Sequence, residues 1–167
     1  MSPDHELDSP PWLRVESTIM AAARQIRCLY DQRLSELDLN LSQASLLAYV
    51  EEFGPNSQTV LAERMGLGRA STGAMIDQLE PRGLIERMPD PDDRRVWLIS
   101  ITDDGRELVT RISKIDGVVR EGLRDGITRR ERQQLASLLV RIQRNLSRGL
   151  EATDDLTPSI PTTEKNS

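Results

Sequence analysis

The chain has 167 residues, 37% hydrophobic and 29% charged, with a formal net charge of −5, the profile of a globular domain with enough chain for one core. Aromatics supply only 3% of residues, so the core must come from Leu, Ile, Val, Ala and Met, which favours helices over a sandwich or barrel. A lone cysteine, Cys28, excludes an intrachain disulfide, and a lone histidine, His5, excludes a His-based metal set or a Ser-His-Asp arrangement.

No phosphate-binding glycine loop is present, and Asp90, Asp92 and Asp93 lack the bridging Gly and closing Glu of a calcium loop. Neither an enzyme nor a cofactor is expected. No apolar run approaches the length of a membrane span. The acidic, Pro-rich start MSPDHELDSPPW has no basic or apolar segment of a signal peptide. A cytoplasmic location is expected.

The net charge conceals an uneven distribution. Residues 1–16 carry one Arg against four acids, residues 151–167 one Lys against four acids, and residues 120–148 eight Arg against three acids. Both tails are acidic and the body is near neutral, so local fields decide what it binds.

Residues 1–11 hold Pro3, Pro10 and Pro11 without periodicity and are expected to be a disordered tail. Leu13, Ile19, Ala23, Ile26, Tyr30, Leu34 and Leu37 then recur at three- to four-residue spacing and predict a long amphipathic helix over about 12–37. Ser42 is the expected cap of a second helix carrying Leu46, Leu47 and Val50, which Gly54-Pro55 ends. Ser57 or Thr59 can cap a short third helix, Val60 to Met65, followed by a Gly66-Leu67-Gly68 turn.

A fourth helix is expected from Arg69 to Leu79, stopped by Pro81 and Gly83. Leu84 to Met88 and Val96 to Ile101 read as strands joined by the polar tip Pro89-Asp90-Pro91-Asp92-Asp93-Arg94-Arg95, hence a hairpin. Thr102 caps a fifth helix over about 103–123, weakened by Gly117 and Gly122. Thr128-Arg129-Arg130-Glu131 is a capping box opening a sixth helix with Leu135, Leu138, Leu139, Ile142 and Leu146.

A short helix, a glycine turn, a second helix and a hairpin make a winged helix-turn-helix. The expected fold is mainly α with a small β-hairpin wing. One domain is expected over 12–150, with the winged helix-turn-helix at 42–102, dimerisation helices at 12–37 and 103–150, and a disordered tail at 151–167. The terminal helices carry more apolar face than so small a centre can cover, which points to pairing with a second copy.

Leu61-Ala62-Glu63-Arg64-Met65-Gly66-Leu67-Gly68-Arg69, Leu79-Glu80-Pro81-Arg82-Gly83-Leu84-Ile85-Glu86-Arg87 and, above all, Asp90-Pro91-Asp92-Asp93-Arg94-Arg95 leading into Leu98-Ile99-Ser100-Ile101-Thr102-Asp103-Asp104-Gly105 resemble the MarR (multiple antibiotic resistance regulator) family. The resemblance spans about 12–150 and is most specific in the wing. It implies a triangular homodimer with intertwined terminal helices, a crevice for a small-molecule effector, and repression by occupying a pseudo-palindromic site on double-stranded DNA.

The N-terminal residues of the fourth helix, Arg69, Ser71, Thr72 and Gly73, would then meet base edges in the major groove. Thr72 equally fits the buried face formed with Met75, Ile76 and Leu79. Gly73 and Ala74 stand where the family often has Thr and Arg, and Gly68 where a Ser cap is usual, so the helix offers few long donors.

Arg94 would enter the minor groove, Asp93 would brace an Arg of the wing, and Arg95 would support the contact or touch phosphate. The bland alternative is that Asp92, Asp93, Arg94 and Arg95 pair with one another. Ser42, Gln43, Ser57, Gln58 and Thr59 open the second and third helices and can meet phosphates or act as plain caps. Arg82 and Arg87 are phosphate contacts or solvated charges.

The Arg-rich 120–148 stretch fits a solvated helix face at the dimer end. Cys28 fits a small helix residue, although some relatives sense oxidants through a cysteine in this region. The competing function is a dimeric helical interaction module whose winged helix has lost base readout and binds protein.

Overall fold

The computed structural model describes residue 10 and residues 14–154, with side chains as far as residue 148. The chain divides into two compact units, one up to Glu121 and one from Gly122 onward. The expectations for residues 1–9, 11–13 and 155–167 lie outside the described residues.

In the first unit, α1 is Val15–Leu34. It carries no Gly or Pro, and its C-terminal end is what packs: Leu34 is buried and Tyr30 lies against the core. A 3-10 turn, Ser35–Leu37, then breaks the expected continuous helix and ends at Asp38 in the left-handed region (φ 52°). The turn delivers Leu37 and Leu39 to the core.

Helix α2 is Leu41–Phe53, and its cap is Asn40, not Ser42. The Asn40 side chain accepts from the Gln43 backbone N–H (2.9 Å), while Gln43 Oε1 accepts from the Asn40 N–H (3.0 Å). This reciprocal box satisfies two end donors together. It was hidden because Asn40 reads as part of a break.

Strand β1 is Asn56–Ser57, which the sequence reading missed. Two residues carry no periodicity, and Gly54-Pro55-Asn56-Ser57 looks like turn chemistry alone. Helix α3 is Gln58–Met65, two residues longer at its start than expected and capped by Ser57, and α4 is Arg69–Leu79, as expected. Gly66 closes α3 at φ 64°, a conformation that glycine adopts without Cβ strain.

The wing is β2, Ile85–Pro89, and β3, Trp97–Ile101. The sheet order is β1-β3-β2, all antiparallel. Ser57 faces Leu98, and Ile85 faces Ile101. The third strand ties the start of α3 to the wing.

Helix α5 is Asp103–Arg124 and α6 is Arg129–Asp154. As expected, Thr102 Oγ1 caps α5 by accepting from the Gly105 N–H (3.1 Å). Gly117 and Gly122 lie within α5 without ending it. In the second unit, the Thr128/Glu131 box opens α6: Glu131 accepts from the Thr128 N–H (2.8 Å), and Thr128 Oγ1 accepts from the Glu131 N–H (3.3 Å). The backbone of α6 continues to Asp154, so 151–154 is helical where a tail was expected.

One apolar cluster holds the first unit together. Leu34, Leu46, Leu47, Leu61, Ile76, Leu79, Ile85 and Ile99 are its largest closed side chains. Burying each such chain stabilises the fold by roughly 1.5–3 kcal/mol. The cluster joins α1, α2, α3, α4 and the sheet, so it fixes where the reading helix and wing stand relative to each other.

Candidate nucleic-acid interface

The helix-turn-helix is α3, the Gly66-Leu67-Gly68 turn and α4. The Leu67 N–H donates to the Ala62 carbonyl (2.9 Å), folding the turn onto the end of α3. Gly68 is the N-cap of α4 and supplies no side-chain hydrogen bond. The first turn of α4 thus keeps backbone donors for an outside acceptor, a setting suited to phosphate.

The four residues expected at base edges divide. Arg69 and Ser71 are exposed, and Gly73 is half-buried. Arg69 has no side-chain partner among the described residues. Thr72 is fully buried at 0% exposure, and its hydroxyl donates to the Gly68 carbonyl (3.2 Å). It belongs to the inner face with Met75, Ile76 and Leu79, so its expected base contact is withdrawn.

The wing tip is folded by its own acids. Asp90 Oδ1 accepts from the Asp92 N–H (2.8 Å) and the Asp93 N–H (3.3 Å). Asp93 Oδ1 accepts from the Arg95 backbone N–H (3.0 Å). Asp90 N–H to Val96 O and Val96 N–H to Asp93 O (both 2.9 Å) close the tip. Asp93 therefore braces the backbone of the wing and not a guanidinium, which corrects the expected role. Arg94 and Arg95 are exposed, and neither guanidinium has a partner among the described residues. Asp90 and Asp93 are engaged with backbone, and among the described residues neither Asp92 nor Asp93 forms an ion pair with Arg94 or Arg95, so the bland reading of a self-paired turn is not what forms.

Two other arginines are not free. Arg82 donates through Nη1 to the Asp38 carbonyl (2.8 Å) and through Nη2 to the Leu37 carbonyl (3.1 Å). It caps the end of the 3-10 turn. Arg87 binds Asp77 (2.6 Å) and Glu80, tying β2 to the end of α4. Arg82 is exposed while so bonded and Arg87 is half-buried in its ion pairs, so both guanidinium groups are held by the protein.

Among the helix-start residues, Gln43 is buried at 7% exposure, shares the box with Asn40, and donates to Gln78 Oε1 (2.8 Å). It is structural, and its expected phosphate contact is withdrawn. Ser57 accepts from the Val60 N–H (3.4 Å) as the cap of α3. Ser42, Gln58 and Thr59 are half-buried. Gln58 reaches over α4 and donates from Nε2 to the Arg69 carbonyl (3.0 Å).

A cavity of about 350 Å³ lies between α1, α2 and α5. Leu34, Leu41, Ala44 and Ile112 make its apolar walls, and Tyr30, Asp116 and Arg120 its polar side. The Tyr30 hydroxyl donates to Asp116 Oδ1 (2.8 Å), and Arg120 Nε pairs with Asp116 Oδ2 (2.8 Å). Burial first, then the hydrogen bond from Tyr30 to Asp116, holds the phenol above its ordinary range. In the sequence Tyr30 stands out only as a periodic residue of the first helix, and Asp116 and Arg120 not at all. No local signal could find them, because the contact joins residues 86 apart. Cys28 is exposed on α1.

Comparisons with known proteins agree with this geometry. The MarR family model matches residues 39–97, from the end of the 3-10 turn through the wing tip. The transcriptional repressor CouR, solved bound to a 23-mer DNA duplex, is 28% identical with a TM-score of 0.72, covering 77% of this chain and 92% of its own. The transcriptional regulator SlyA is 26% identical with a TM-score of 0.74, covering 83% and 98%. Bordetella bronchiseptica BpsR, whose DNA binding is regulated by 6-hydroxynicotinic acid, shares the fold at 22% identity and a TM-score of 0.74, covering 81% and 96%. Residues 39–97 are thus similar to the MarR family, and the fold is shared with solved transcriptional regulators that include a repressor bound to DNA.

Proposed function

We propose that this protein is a cytoplasmic homodimeric repressor that occupies a pseudo-palindromic operator and leaves it when a small molecule binds. The observation that carries the DNA reading is the wing: Arg94 and Arg95 stand exposed and, among the described residues, unpaired on a tip where Asp90 and Asp93 bind the wing's own backbone. A guanidinium so held is suited to the narrow minor groove, where the potential is most negative. Arg69 at the uncapped start of α4 supplies the adjacent major-groove contact, with Ser71 beside it. Ser42, Ser57 and Thr59 at the starts of α2 and α3 serve as phosphate contacts.

Pairing with a second copy is supported by apolar surface left open. Val15 and Met20 on α1, Val118 and Leu123 on α5, and Leu135, Leu138, Val140 and Leu146 on α6 are each 38–67% exposed. Large exposed side chains recurring on these terminal helices are what a partner would cover. The cavity walled by Tyr30, Asp116 and Arg120 is our candidate for the effector crevice. Its size and mostly apolar lining suit a small molecule, and it touches α2, which leads into the winged helix.

Anisotropy titration of the protein against the intergenic DNA beside its own gene, at two salt concentrations with competitor, tests the proposal. Tight binding that survives competitor and weakens steeply with salt supports a specific regulator. A folded dimer that shows neither salt sensitivity nor selectivity favours the interaction-module reading, which the buried Thr72 and the side-chain-poor Gly73 and Ala74 would suit.

A further inference from the structure

We propose that Gln58 is a base-reading residue, its amide laid over the recognition helix at Gly73, where a side chain of α4 would otherwise stand. The inference rests on the DNA-binding function proposed above.

A Cβ at Gly73 would lie 2.8 Å from Gln58 Nε2, 3.5 Å from its Cδ and 3.7 Å from its Oε1. The amide therefore fills the space that a side chain at residue 73 would take. One Nε2 proton is committed to the Arg69 carbonyl (3.0 Å), which fixes the amide against the first turn of α4. The other Nε2 proton and Oε1 have no partner among the described residues. A donor and an acceptor side by side are the set that matches the N7 and N6 edge of adenine in the major groove.

The position of Gln58 is rigid. The preceding residue, Ser57, is at once the cap of α3 and the β1 residue paired with Leu98 of β3. The exposed neighbours Ala70 and Ala74 on α4 carry no polar side-chain atoms to compete. Gly73 thus becomes a specificity determinant by what it lacks: any Cβ there displaces the amide.

That dependence supplies the test. Gly73→Ala moves only the end of a flexible side chain and removes a glycine from a helix interior, so the fold should keep or raise its melting temperature. Bound duplexes are selected from a random-sequence pool with wild type, Gln58→Ala, Gly73→Ala and the double variant, then titrated with single-base changes at two salt concentrations.

The expected result is one adenine-preferring position per half-site in wild type, flattened roughly tenfold or more in Gln58→Ala. Gly73→Ala should reproduce that loss, the double variant should add nothing, and the salt slope should be unchanged. Unaltered preference in Gln58→Ala, or in Gly73→Ala, overturns the proposal. A uniform loss across all sequences with a shallower salt slope also overturns it, because that is the mark of a phosphate contact. If wild type selects no sequence, the proposed DNA-binding function fails and this inference falls with it.

Discussion

Five arginines near the proposed interface look alike in the sequence and have two different roles. Arg82 and Arg87 are tied to the protein, while Arg69, Arg94 and Arg95 are open. The separation was not legible because it depends on distant partners: Arg82 meets Asp38, which lies 44 residues away. Arg94→Ala should weaken operator binding by roughly tenfold or more, on the scale of a lost groove contact, with the melting temperature unchanged. Arg82→Ala should do the reverse. Removing its bonds to two carbonyls costs about 1 kcal/mol of stability in denaturant titration, while the folded protein keeps its DNA affinity. A drop in affinity without a drop in stability would return Arg82 to the interface.

Among elements, regular pattern was legible and exceptions were not. The bounds of α4 follow from Gly68 before it and Pro81 and Gly83 after it. Asn40 displaced Ser42 as a cap because only the three-residue reach to Gln43 closes the box. Strand β1 escaped because pairing with β3, not its own sequence, makes it a strand.

Among the described glycines, the one at the junction of wing and α5 is packed most closely. A Cβ on Gly105 would fall 2.1 Å from the Leu84 carbonyl oxygen and 2.6 Å from Ile101 Cγ1. Gly105→Ala must push backbone apart, and we expect it to cost about 1–3 kcal/mol, read as a lower denaturation midpoint. A neutral effect would show that α5 can slide away freely.

At the start of α6, hydrogen bonds from Thr128 hold the Glu131 carboxyl below its usual range. A depressed carboxylate pKa stabilises the fold above the unfolded value and loses that contribution as pH falls through the folded one. The protection of the first-turn amides of α6, taken relative to their intrinsic exchange rate at each pH, should therefore fall on acidification. Glu131→Ala should abolish that step.

For the whole molecule, composition points to a helical protein, and the periodicity of the terminal helices to apolar faces, several of whose residues stand exposed among the described residues. The local wing motif pointed to DNA. The cavity was not legible, because its polar side is assembled from α1 and α5. We expect Leu138→Arg, at a half-exposed apolar position of α6, to convert a dimer to monomer in sedimentation equilibrium. Operator affinity should fall with it, since one half-site at a time would then be held.

Whether the exposed Arg94-Arg95 wing reads DNA is tested by operator anisotropy for wild type and Arg94→Ala under identical salt, with sedimentation confirming equal assembly. Wild type should bind specifically and in a salt-sensitive way, and the variant should lose roughly tenfold or more. Equal affinity for the two proteins, both folded and assembled alike, would contradict that role of the wing.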